Sequence, residues 1–136
     1  MIKVQTEIQA SINKIWEFWT LPEHIVEWNT PSLNWYTSQA ENDLKVGGKF
    51  KYSMITKDKS LSFDFEGFYT KVEKLLLIEY KLVDNRIGSI HFEELGDAVR
   101  ISEVFQPESG NPESMQEEWC QAVIDKFKQY VESFKK

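Results

Sequence analysis

The sequence predicts an α+β fold: a curved antiparallel β-sheet against one long C-terminal α-helix, with two short helices after the first strand. Three observations carry this. Apolar residues alternate with period two over residues 2–8 and again in several runs between 49 and 105, which marks strands with one dry and one wet face. A stretch of about 20 residues near the C-terminus carries an apolar stripe at helical spacing. Gly67 stands where the parity of the aromatic residues slips, as expected of a bulge or sharp bend in a sheet that wraps around something.

The elements follow in order. Ile2, Val4, Thr6 and Ile8 alternate with Lys3, Gln5, Glu7 and Gln9, giving the first strand. Ser11 is placed to cap a short helix whose residues Ile12, Ile15, Trp16 and Trp19 share one stripe. Thr20-Leu21-Pro22-Glu23 reads as a capping box with proline inside it, launching a second short helix with Ile25 and Trp28. Trp35 to Ala40 is the weakest strand candidate, and Asp43 to Gly48 is a turn. Phe50, Tyr52 and Met54 then alternate with Lys49, Lys51 and Ser53. Leu61, Phe63, Phe65 and Tyr69 share a face, with Phe68 and Val72 on the opposite parity. Ile78, Tyr80 and Leu82 continue the pattern, then Ile90 and Phe92, and, after the turn Glu94-Leu95-Gly96-Asp97, Val99, Ile101 and Phe105. Short turns between them make consecutive hairpins.

The last element runs past Pro112, with Asn111 or Ser114 as its cap. Met115, Trp119, Ala122, Val123, Phe127, Tyr130, Val131 and Phe134 form its stripe. Glu113, Glu117 and Glu118 at its start and Lys135 and Lys136 at its end suit the helix dipole. Burying five large side chains of that stripe is worth roughly 8–15 kcal/mol as an upper bound, so the helix is expected to lie on the sheet.

Composition bounds the function. The 136 residues fit a single domain spanning 1–136. Aromatic residues make up 14% of the chain, five of them tryptophan, so the interior is built from large rings. Net charge is −6 and pI about 5.0, which lacks the basic footprint of a nucleic-acid binder. The excess is C-terminal: residues 1–60 are neutral overall, and eight carboxylates between Glu93 and Glu118 face only Arg100, a candidate docking face for a basic partner or a solvated surface. The lone cysteine, Cys120, forms no internal disulfide and agrees with a cytoplasmic address. No signal peptide is read at the start, and no run of about 18 apolar residues predicts membrane insertion.

Catalytic and metal signals are sparse. His24 and His91 are far apart in sequence and share no metal-ligand spacing, and no metal or cofactor is expected. Gly47-Gly48 fits a hairpin turn and belongs to no phosphate loop, and Ser109-Gly110 forms no nucleophile elbow. Cys120 has acidic neighbours in Glu117 and Glu118, which argue for a quiet thiol. Asp64 and Glu66 alternate with Phe63 and Phe65 and are expected in water. Glu103 differs, because its parity matches Val99, Ile101 and Phe105 and turns it inward. A buried carboxylate needs hydrogen bonds or a cation, or keeps its proton. That makes Glu103 the best polar anchor for a ligand; the alternative is a frayed strand end that lets it reach water.

The order of elements resembles the helix-grip fold of the START-like (SRPBCC) superfamily. Ile12-Asn13-Lys14-Ile15-Trp16-Glu17-Phe18-Trp19-Thr20 with Pro22-Glu23 and Trp28 looks like that superfamily's opening motif. Asp43-Leu44-Lys45-Val46-Gly47-Gly48-Lys49-Phe50 is similar to its glycine turn, Phe65-Glu66-Gly67-Phe68-Tyr69 to its central strand, and Trp119 to its C-terminal helix tryptophan. Together these resemble the branch related to the C-terminal domain of the activator of Hsp90 ATPase. The chain departs at Trp28-Asn29-Thr30-Pro31, where members commonly carry a second tryptophan, and at Val72-Glu73-Lys74-Leu75, where they place a proline.

The resemblance implies a cavity between sheet and helix. Alternation assigns to its walls Trp35, Phe50, Tyr52 and Met54, then Phe63, Phe65, Tyr69 and Tyr80, then Phe92, Ile101 and Glu103. Trp119, Val123 and Phe127 face them from the helix. Three functions are open on these residues: a binding protein for an apolar or aromatic small molecule or lipid; a co-chaperone-like partner of an Hsp90-type chaperone in stress response; and a cyclase- or hydratase-like enzyme with Glu103 as general base. A core filled by its own rings is the remaining alternative.

Overall fold

The computed structural model describes residues 1–134. Seven strands form one antiparallel sheet: β1 (Ile2–Ile8), β2 (Trp35–Asn42), β3 (Lys49–Thr56), β4 (Ser62–Glu73), β5 (Leu77–Leu82), β6 (Ile87–Glu94) and β7 (Val99–Phe105). Their spatial order is β1-β7-β6-β5-β4-β3-β2. Each strand from β2 to β7 pairs with its sequence neighbour, and β1 closes onto β7. Helices α1 (Ile12–Thr20) and α2 (Pro22–Trp28) connect one edge strand to the other. Helix α3 (Glu113–Glu132) lies in the concave face. The architecture is the α+β helix grip.

Several local readings are corrected. Ser11 does cap α1, accepting from Lys14 N at 3.2 Å. The capping box before α2 does not form: Thr20 Oγ1 donates back to Trp16 O at 2.8 Å, and Leu21 takes the cap position without a side-chain bond. Buried in α1, the threonine hydroxyl has a closer acceptor in its own last turn. Helix α3 has Pro112 at its cap rather than Asn111 or Ser114, because Asn111 Nδ2 is engaged by Glu108 Oε1. Lys135 and Lys136 lie outside the described residues.

The parity slip in β4 is real, but its bulge falls between Tyr69 and Lys71 rather than at Gly67. Gly67 serves close approach: a Cβ there would collide with the backbone of Lys81 and Leu82 on β5. The extra residue, Thr70, returns Val72 to the inner side, where it packs on the core. Leu61 precedes the strand and is exposed. Gly47 (φ +82°) and Gly48 bind the bulge from the other side, with Gly47 N donating to Tyr69 O at 2.8 Å and Tyr69 N to Gly48 O at 2.9 Å. A second irregularity between Thr37 and Gln39 bends β2. Bulges sharpen strand twist, so this half of the sheet curls away from α3, which runs close to β1 and stands off from β3–β6.

Candidate functional site

The rings sort into two regions along α3. At its C-terminal half, Ile124, Phe127 and Val131 are buried. Phe127 meets Trp19 and Trp28 edge-on at 4.9 Å each, those two stack at 4.6 Å, and Trp16 contacts Phe92 at 5.1 Å. Trp28 Nε1 donates to Phe18 O at 2.8 Å, satisfying the one polar atom of that ring. The N-terminal half of α3 has no buried residue before Ile124. Opposite it lies a cavity of about 440 Å³.

Eleven of the residues assigned to the walls by alternation line this cavity. Phe50, Tyr52 and Met54 come from β3, Phe63, Phe65 and Tyr69 from β4, and Tyr80 and Glu103 from β5 and β7. Trp35, Trp119 and Val123 complete them. Phe50 is the hub of the floor, with Tyr52, Phe65, Tyr69 and Tyr80 around it at 5.0–5.8 Å. Trp35, Phe63 and Trp119 form a separate cluster at the rim, at centroid distances of 5.4–6.2 Å. Phe63 and Met115 are substantially exposed there.

Phe92, Ile101 and Phe127 are corrected: they line no part of this cavity and belong to the packed core. Phe92 and Ile101 point inward as alternation requires, but Trp16 and Trp19 of α1 lie against Phe92, and Trp19 and Trp28 lie against Phe127. Other lining residues escaped the sequence reading. Ile78, Leu82, Ile90 and Phe105 have the inward parity that identified their neighbours. Cys120 stands three and seven residues before Val123 and Phe127, a helical spacing that signals its inward position. Asn29 occupies the place of the absent tryptophan, with Nδ2 3.7 Å from Met54 Sδ. The rim residues Arg86, Gln106, Glu108 and Gln116 come from loops and a helix start, for which periodicity offers no signal.

The rim is tied together. Gln116 Nε2 donates to Glu108 O and Asn111 O at 2.9 and 2.8 Å, while Glu108 N donates to Gln116 Oε1 at 2.8 Å. Ile87 N donates to Gln106 Oε1 at 2.9 Å. Arg86 Nε is paired with Asp84 Oδ2 at 2.8 Å.

Among the described residues, Glu103 is the one carboxylate on the inner walls. Tyr80 donates its hydroxyl to Glu103 Oε2 at 2.6 Å. The reach is made possible by Gly88, the partner of Tyr80 across β5 and β6, since a Cβ at Gly88 would occupy the Tyr80 ring. Burial raises the Glu103 carboxyl above the usual range, partly opposed by the Tyr80 bond. The surface Glu103 retains faces the cavity it lines. Burial also pushes up the titrations of Tyr52, Tyr80 and Cys120, with the Glu103 charge adding to each. The Tyr69 hydroxyl donates to Asn42 Oδ1.

Elsewhere the polar groups are structural. His24 stacks on Phe18 at 4.0 Å and shares a 2.7 Å hydrogen bond with Tyr130, while His91 contacts Ser89. No group of metal-ligating side chains converges among the described residues, and no helix among them is long and apolar enough to cross a membrane. The acidic stretch divides. Glu94 and Asp97 border a surface depression beside α1, Glu93 pairs with Arg100, Glu103 is inside, and Glu108 is on the cavity rim. It presents no single face.

A hollow helix grip of this kind defines a ligand-binding class of fold. Residues 9–132 match the family model described as Activator of Hsp90 ATPase homolog 1-like protein, and the chain belongs to that family. The solution structure of an AHSA1-like protein from Aeromonas hydrophila is similar at 33% identity and TM-score 0.87, covering 97% of this chain and 93% of that one. A solution structure from Cytophaga hutchinsonii is similar at 42% identity and TM-score 0.84, covering 97% and 92%. A crystal structure from Nitrosomonas europaea, at 18% identity, 97% and 94% coverage and TM-score 0.81, shares the fold. A search of curated proteins found no match.

Proposed function

We propose that this chain is a single-domain cytoplasmic binding protein that holds an apolar or aromatic small molecule, or a lipid of similar chemistry, in the cavity between the sheet and the N-terminal half of α3. The observation that carries the reading is the cavity itself, about 440 Å³ and lined by eleven aromatic side chains. That size falls in the range of small-molecule pockets, which pair apolar walls with a few placed polar groups. An empty, dry void of this volume would cost on the order of 10 kcal/mol at about 24 cal/mol per Å³, comparable to the whole stability of a small domain. Water or a ligand therefore has to occupy it.

Native mass spectrometry of protein purified from its host tests this: a bound mass, lost on denaturation, is expected. A ligand at about a hundred times its Kd stabilises the fold by about 2.7 kcal/mol, readable as a thermal shift. A bare polypeptide with no shift across a lipid and aromatic library overturns the reading.

A second reading follows from the family description, in which the chain engages an Hsp90-type chaperone in stress response. It requires salt-sensitive binding to the chaperone and a changed ATPase rate; no binding at micromolar concentrations removes it.

A further inference from the structure

We propose that the cavity selects a ligand carrying a protonated amine on an aromatic or apolar body, with the amine against Glu103 and the rings of the floor around it. This rests on the cavity being a ligand site and adds the charge of the ligand.

The charged side chains on the walls decide the sign. Among the described residues the charged side chains lining the cavity are Glu103, Glu108 and Arg86, with no lysine or histidine beside them. Arg86 sits at the rim, with its Nε already bound to Asp84. The inner walls therefore offer a carboxyl, phenols and a thiol; the guanidinium of Arg86 reaches in from the rim on the side of Cys120, where its charge opposes the rise of the thiol titration, and it makes no hydrogen bond to Glu103. An anion placed beside Glu103 gives up its hydration and meets a like charge there, whereas a cation meets the opposite one.

Hydrogen bonding points the same way. The Tyr80 proton is committed to Glu103 Oε2 and the Tyr69 proton to Asn42. Glu103 Oε1 has no donor among the described residues and lies on the cavity wall. An unpartnered carboxylate oxygen in an apolar setting is a strong acceptor for an ammonium donor. Phe50, Tyr52, Phe65, Tyr69 and Tyr80 surround the floor with π-systems, which attract a cation further. An amine also allows Glu103 to ionise, since its positive charge offsets the burial that otherwise favours the protonated acid.

The test uses three probes sharing one ring system: naphthylmethylamine, naphthylmethanol and naphthoate. Their affinities are measured by calorimetry on the wild-type protein and on Glu103→Gln. The amine is expected to bind at least about tenfold tighter than the alcohol, with naphthoate weakest. Glu103→Gln, close to isosteric, should bring the amine down to the alcohol while leaving the alcohol unchanged. Equal binding of all three probes, a preference for naphthoate, or an amine affinity untouched by Glu103→Gln overturns the charge selection while the cavity reading stands. Failure of every probe to bind the wild type overturns both.

Discussion

The two halves of α3 face the same sheet across different interiors. Around Phe127, fully buried, the rings of Trp19 and Trp28 close to van der Waals contact. Three turns earlier at most, Trp119 is only partly buried and meets Trp35 and Phe63 over a cavity. Ring content does not distinguish the halves, since both are rich in aromatics. What differs is the layer between helix and sheet: Trp19 and Trp28 of α1 and α2 pack against Phe127 at one end, and beyond these two rings, which also line the cavity, the bulge after Tyr69 helps curve β4 away. Protein interiors pack to crystal-like density wherever side chains can meet, so a hollow marks a place where the backbone holds two apolar walls too far apart to close.

The strongest way to break this comparison is to truncate one ring in each half. Phe127→Ala is expected to cost about 3–5 kcal/mol, measured by urea unfolding, because a fully buried aromatic leaves a void its neighbours cannot fill. Trp119→Ala should cost less than about 1.5 kcal/mol, as it removes rim surface and few core contacts. Equal losses would show that the N-terminal half is as tightly packed as the other.

Gly88→Ala acts inside the hollow half. The added methyl occupies the position of the Tyr80 ring, so the ring has to shift at a cost of about 1–3 kcal/mol and its bond to Glu103 is lost. Loss of that bond should appear as a changed Glu103 titration by carbon-detected NMR; an unchanged titration would mean Gly88 does not set the geometry.

Glu103→Gln sharpens the comparison with a smaller effect. The folded-state carboxyl has a raised pKa because it is buried, so its favourable contribution is complete below the unfolded-state value, near 4.3, and is lost as pH rises through the folded value. Glutamine mimics the protonated acid. The variant should therefore be more stable than wild type at pH 7, with the gap closing toward pH 4. A gap constant with pH would place Glu103 in water.

The smallest effect belongs to Asp58, in the exposed turn between β3 and β4. Hydrogen bonds from Ser60, through its hydroxyl and its amide, and from the Thr56 hydroxyl lower it to about 2. Its stabilisation is present above the ordinary aspartate range and fades as pH falls toward 2. Asp58→Asn should lower the thermal midpoint slightly at neutral pH and leave ligand affinity unchanged; a change in affinity would extend the functional region to this turn.

Taken by itself, the sequence determined the faces. Alternation placed Phe50, Tyr52 and Met54 inward, parity turned Glu103 inward, and helical spacing set Trp119 and Val123 on the side that meets the sheet. It also determined the family, through motifs carried on the first helices, the glycine turn and the central strand. Tertiary structure decided which inward rings pack and which stand around a space. Phe92 and Phe127 share the parity or stripe of the cavity residues, yet the tryptophans of α1 and α2 pack against them. It also placed the bulge at Thr70 and assembled the rim from Arg86, Gln106, Glu108 and Gln116. The physical reason is that periodicity reports the direction of a side chain from its own backbone, whereas packing depends on the distance to the opposite wall, which only the path of the whole chain sets.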